Sequence, residues 1–187
     1  MDRRLGSLAI PALGALIAEP LFVLTDTAMV GHLGETVLAG MSIGSTVMQT
    51  VIGLCIFLSY TTTPMVARRL GANDKPGAIR AGIDGIWLGL GLGVILLLVG
   101  LPLTGTITSA FTPDPAVARQ AYHYIAICLW GLPGMLTVLA ATGLLRGLQD
   151  TRTPLAVAAG GAVVNVILNW LFIYPFGLGI AGSALGT

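Results

Sequence analysis

The sequence predicts an all-α fold: a polytopic transmembrane helix bundle with five complete spans and the start of a sixth. Three observations predict it. Of the 187 residues, 55% are hydrophobic and only 9% charged, where a soluble domain carries about 25% charged residues. The apolar residues fall into stretches long enough for the ~20 residues of helix that cross a bilayer. The basic residues gather in alternate turns, as they do when a chain threads a membrane repeatedly.

The first span covers residues 5–30 and is apolar apart from Glu19, Pro20 and Asp26. The second covers 37–63 and carries Gly40 and Gly44. The third covers 82–110, with Gly85, Gly89 and Gly93 at four-residue spacing. Small residues at that spacing let helices approach closely, so both glycine stripes read as packing surfaces. Asp84 follows Arg80 by four residues, and an i, i+4 ion pair is expected there. The fourth span, 120–145, follows Asp114-Pro115, and the fifth, 155–174, follows Thr153-Pro154. Each dipeptide reads as an N-cap followed by Pro at the first helical position. Gly31, Gly34, Gly71 and Gly147 end or separate runs. A partial sixth span occupies 179–187. It is too short to cross a bilayer, so the chain is expected to be a fragment of a longer one.

Two turns resemble each other weakly. Arg69 to Pro76 and Arg146 to Pro154 each contain an Arg at a helix end, an acid, a base and a Pro. Shared capping chemistry accounts for this, because Arg suits a helix C-terminus and Pro a helix start. Orientation follows from the bases. Arg3, Arg4, Arg68, Arg69, Lys75, Arg80, Arg146 and Arg152 fall on one side and Arg119 alone on the other. The positive-inside rule then makes the N-terminus cytoplasmic.

Several function classes are set aside. Cys55 and Cys128 lie in apolar runs and read as small buried hydrophobes. No His, Cys and acid set has metal-ligand spacing, and no nucleophile elbow or P-loop is present. The letters Gly177-Leu-Gly179-Ile-Ala-Gly182 match a dinucleotide fingerprint, but no βαβ unit surrounds them, so they read as a turn. His32 and His123 read as solvated interfacial side chains. No metal, cofactor or nucleic-acid partner is expected, and no enzyme activity.

The intramembrane polar residues carry the functional expectation. An ionisable group inside a spanning helix is costly unless it faces a protein interior or a water-filled cavity, and such groups mark ion or proton pathways. Asp26 is the leading candidate. Glu19 lies seven residues earlier on nearly the same helix face, and Pro20 predicts a kink between them. Asn165 and Asn169, at i and i+4 in the fifth span, share a face. Their amides suit either cation coordination and a relay to a carboxylate, or hydrogen bonding between helices.

Glu19 to Gly34, EPLFVLTDTAMVGHLG, resembles the first-helix signature of the multidrug and toxic compound extrusion (MATE) family, in its DinF-like branch. Thr63 to Asp74 resembles the family's turn after the second helix, and Leu145 to Pro154 its turn before the fifth. The resemblance runs the length of the chain. It implies that residues 1–187 form the N-terminal lobe of a twelve-helix transporter, with a second six-helix lobe as partner. It implies export of cationic or amphipathic small molecules across the cell membrane, in exchange for protons or sodium ions. It places Asp26 as the lobe's acid, Asn165 on the family's fifth-helix Asn, and Thr187 on its sixth-helix Thr. Asn169 stands where the archaeal-type pattern has Asp. A two-carboxylate site is thereby lost, and Asp26 is left as the main protonatable group.

Two rival readings remain. A lipid or lipid-linked saccharide flippase of a related bundle would need a basic cavity for its anionic ligand, whereas the intramembrane charges here are acids. The other rival is a membrane fragment with no transport of its own.

Overall fold

In the computed structural model the described residues are Leu24, Thr27, Gly31 and 34–186. Leu24, Thr27 and Gly31 are helical. Six further helices follow: α1 (Glu35–Leu54), α2 (Phe57–Gly71), α3 (Lys75–Phe111), α4 (Pro115–Gly147), α5 (Arg152–Ile173) and α6 (Ile180–Gly186). No strand occurs among the described residues. The stretches Glu35–Gly71, Lys75–Phe111, Pro115–Gly147 and Arg152–Ile173 are each long and apolar enough to cross a membrane.

Carboxylates set the starts of α3, α4 and α5. Asp114 caps α4 through Oδ1, which accepts from the Ala116 amide at 2.8 Å, with Pro115 in the first turn. Asp74 does the same for α3, accepting from the Gly77 amide at 2.9 Å. The start of α5 differs from the sequence reading. The helix begins at Arg152, so Pro154 sits at the third position rather than the first. Asp150, not Thr153, supplies the cap. Its Oδ1 accepts from the amides of Arg152 and Thr153, and its Oδ2 from the Thr153 hydroxyl at 2.6 Å. An ionised carboxylate offers more lone pairs to a helix N-terminus than a hydroxyl, and the dipole favours its charge.

The two similar turns close alike. The amide of Ala72 donates to Arg68 O, that of Asn73 to Leu70 O and that of Asp74 to Arg69 O. At the other turn the amide of Leu148 donates to Leu144 O, that of Gln149 to Arg146 O and that of Asp150 to Leu145 O. Both are Schellman-type closures, and both place a non-glycine residue in the left-handed region: Asn73 at φ 63° and Gln149 at φ 64°. Gly71 and Gly147 are the last helical residues, two positions before the left-handed ones.

The bundle runs up and down. α3 and α4 are antiparallel: Gly82 meets Leu144, Gly93 meets Pro133 and Gly100 meets Leu129. α1 and α2 lie parallel to α4. Gly40 abuts Gln120 and Ala121, and Gly44 abuts Tyr124. Lower down, Gly143 abuts Ser59, and the Thr63 hydroxyl reaches Gly143 O at 3.0 Å. The core between these helices includes Met41, Met48, Leu58, Leu97, Ile125, Leu129, Leu132 and Leu136. The predicted glycine stripes are therefore contact surfaces, although Gly85 faces Thr62 of α2 while Gly89 and Gly93 face α4.

Two further differences from the sequence reading stand out. Arg80 and Asp84 are both exposed and form no ion pair. Two solvated charges gain little from pairing and lose side-chain freedom by it. The second span has an irregular turn at Cys55 and Ile56, where both residues keep right-handed helical angles but the bonds tighten to i−3, between α1 and α2. Cys55 and Cys128 are buried, as expected.

Candidate functional site

α5 and α6 form a hairpin. Gly177 and Gly179, at φ 62° and 54°, make the turn, a conformation that costs glycine little. This is the segment whose letters resemble a dinucleotide fingerprint, and it is a turn. α6 then folds back onto α5, with Gly182 against the Phe172 backbone and Gly186 against Asn169. A side chain on Gly186 would collide with Asn169 Oδ1.

The two asparagines meet within α5. Asn169 Nδ2 donates to Asn165 Oδ1 at 2.9 Å, and the pair is buried, Asn169 at 1% exposure and Asn165 at 9%. The i, i+4 spacing brings the amides together as a helix face should. The other faces of α5 are apolar and exposed, with Val163, Val164, Ile167 and Trp170 outward. A buried amide pair in such a helix is a polar island whose groups both donate and accept hydrogen bonds. Ser183 of α6 is fully buried. On α4, Cys128 Sγ lies 4.0 Å from Ala184 O, which ties the hairpin to the core. Sequence reasoning did not single out Ser183 or Gly186. The signal was the run of small residues after Gly182, which permits close approach of α6 to the asparagines.

Of the residues proposed from sequence, the structure brings Asn165 and Asn169 together. Asp26, Glu19, Pro20 and Thr187 lie outside the described residues. Among the described residues no group of His, Cys, Asp and Glu could hold a metal ion. His123 is exposed, with its ring edge-on to Tyr122 at 5.9 Å.

Comparison with known proteins decides the family. The MatE family matches residues 11–171. The chain belongs to the MatE family. It is 30% identical over 187 residues to DNA damage-inducible protein F of Escherichia coli K12, covering 100% of this chain and 41% of that protein. It is 31% identical over 189 residues to multidrug resistance protein MdtK of Edwardsiella ictaluri, covering 99% of this chain and 41% of that protein. Among solved structures it superposes with a TM-score of 0.90 on a MOP superfamily transporter from Pyrococcus furiosus. That match has 29% identity and covers 96% of this chain and 40% of the other. The chain thus spans about two fifths of the length of these relatives. With its four long apolar helices, this MATE chain is a multi-pass membrane protein of a transporter family.

Proposed function

We propose that this chain forms the N-terminal lobe of a secondary active multidrug efflux antiporter. In this reading it exports cationic or amphipathic compounds in exchange for protons or sodium ions. The observation that supports it is the buried Asn165–Asn169 amide pair within an otherwise apolar spanning helix of a MATE chain. Ionised Asp26, hydrogen-bonded to Asn165, keeps the lobe cavity polar and receptive to a cation. Protonation from outside neutralises the carboxyl, bends the first span near Pro20 and weakens solute binding. Release of the proton to the cytoplasm resets the cycle. Glu19 acts as a hydrogen-bonding partner beside the bend, and Thr187 as a further oxygen at the site. With Asn169 in place of an acid, one carboxylate carries the titration. The lobe sits in the cell membrane with its N-terminus in the cytoplasm, and a second six-helix lobe completes the cavity.

The test is efflux of a cationic dye from proteoliposomes of the full-length transporter under an imposed proton or sodium gradient. Asp26→Asn is expected to reduce driven efflux to the level of empty liposomes while the protein still inserts and folds. Asn165→Ala is expected to move the pH profile upward, because losing a donor raises the carboxyl pKa. Undiminished driven efflux by Asp26→Asn would overturn the mechanism.

A further inference from the structure

Gly186 stands at a helical position where alanine would ordinarily do better. Among the described residues the glycines with positive φ are Gly34, Gly177 and Gly179, so the backbone at Gly186 is one that any residue adopts. Helix propensity alone favours alanine there. Space is what excludes a side chain, and the two glycines of α6 lack it for different reasons. A Cβ on Gly182 would lie 2.9 Å from the Phe172 carbonyl carbon and 3.0 Å from its oxygen. Those are backbone atoms of α5 and have no freedom to turn aside. A Cβ on Gly186 would collide with Asn169 Oδ1, with Asn169 Cγ at 2.9 Å and the Asn169 backbone nitrogen at 3.1 Å. The two nearest atoms belong to a side chain, which turns about its own torsions. A methyl group at 186 is therefore accommodated by rotating the Asn169 amide rather than by parting the helices.

That amide has work at its other end. Asn169 Nδ2 donates to Asn165 Oδ1 at 2.9 Å, and Asn169 is 1% exposed, so no solvent replaces the bond if the amide turns. The bond also gives the pair a direction. Asn169 keeps its oxygen on the α6 side, Asn165 accepts with its own oxygen, and the Asn165 Nδ2 group is left to donate onward. An N–H donor favours the charged form of a carboxyl group, whereas an amide oxygen favours the protonated form. The end that the pair offers thus decides what it does to an acid. The described helices around the pair bring no acid of their own. α5 and α6 carry no charged side chain apart from Arg152 at the far end of α5. On α4, Arg119 and Arg146 are exposed near the ends, and its buried titratable side chains are Tyr124 and Cys128.

We propose that Gly186 is a positioning residue for the amide pair: its missing Cβ lets Asn169 aim an N–H at Asn165, which leaves Asn165 as the donor to the coupling acid. The effect on coupling rests on the antiporter reading, but the contact itself is measurable without transport. Gly186→Ala, Asn169→Ala, Asn165→Ala and their pairs with Gly186→Ala are made in the full-length transporter. Thermal midpoints in detergent and the pH profile of cationic dye efflux from proteoliposomes are then compared. Gly186→Ala should move the pH profile by about 1 pH unit in the direction of Asn165→Ala. Its thermal midpoint should stay within about 4 °C of wild type, because the gain in helix propensity offsets the lost bond. In an Asn169→Ala protein, Gly186→Ala should leave the pH profile where Asn169→Ala put it. In a Gly186→Ala protein, Asn165→Ala should lower the midpoint less than it does in wild type, since the bond it removes is already gone. A large fall in midpoint with an unmoved pH profile would make Gly186 a packing residue only and overturn the proposal. So would an equal shift of the profile with and without the Asn169 amide, since Gly186 would then act through another group. If Gly186→Ala alone does not fold, the pair with Asn169→Ala should restore folding, and failure to do so overturns the proposal as well. Non-additive midpoints without gradient-driven efflux in the wild type would uphold the contact and remove the antiporter reading instead.

Discussion

Three donors converge on the carboxylate of Asp150 at the start of α5: the Thr153 hydroxyl and the amides of Thr153 and Arg152. The Thr153 hydroxyl contributes most to holding this carboxyl below its usual value of 3.8. A carboxyl whose pKa is lowered by folding stabilises the fold above the unfolded value, and the benefit fades as pH falls through the folded value. Asp150→Ala should therefore lower the thermal midpoint at pH 7, and the gap to wild type should narrow as pH drops below about 4. Thermal unfolding in detergent at pH 7 and pH 3 checks this, and a gap independent of pH would show that the charge is not used. The sequence placed an acid, a base and a proline in this turn, yet Thr153-Pro154 looked like the better start signal. The reason is local: Gln149 takes the left-handed position that usually announces itself as Gly, so the helix start is shifted without a visible marker.

Helix contacts in this bundle are made where side chains are missing. A Cβ on Gly89 would lie 2.8 Å from Leu136 O, which is backbone and has no way to yield cheaply. Gly89→Leu should cost about 1–3 kcal/mol of stability by forcing α3 from α4. Gly91, on the outer side with nothing within 4 Å, is the control. There Gly91→Ala should be neutral or stabilising by up to about 1 kcal/mol, through helix propensity alone. Thermal midpoints of the two variants separate packing from propensity. The existence and order of these helices were legible in the hydropathy pattern, and so was the close packing in the four-residue glycine spacing. The break at Cys55 and Ile56 was not, because no Pro or polar residue marks it. Hydrogen bonds that shift from i−4 to i−3 leave no trace in composition. The Asn165–Asn169 pair was readable because i, i+4 is a geometric constant of the helix. Gly186 against Asn169 was not, because it depends on how α6 folds back.

The two ends of the molecule differ in charge. Arg68, Arg69, Lys75, Arg80, Arg146 and Arg152 lie at the end formed by the two Schellman turns, while Arg119 lies at the other. At the basic end Asp74 and Asp150 turn their carboxylates onto helix starts, and the described residues form no ion pair there. The positive excess is thus left open to water, the condition under which it orients a chain in a membrane. In intact cells a membrane-impermeant maleimide should label Asp114→Cys and spare Asn73→Cys, and the opposite pattern would invert the lobe. The hairpin at the far edge gives the bundle a second property. Among the described residues α5 touches α4 only lightly, and its firm neighbour is α6. The short helix is what joins the hairpin to the rest: α6 packs on α4, where Cys128 Sγ meets Ala184 O. Asn165 and Asn169 thus sit on a helix that reaches α4 chiefly through its hairpin partner, and their mutual bond is made within that one helix.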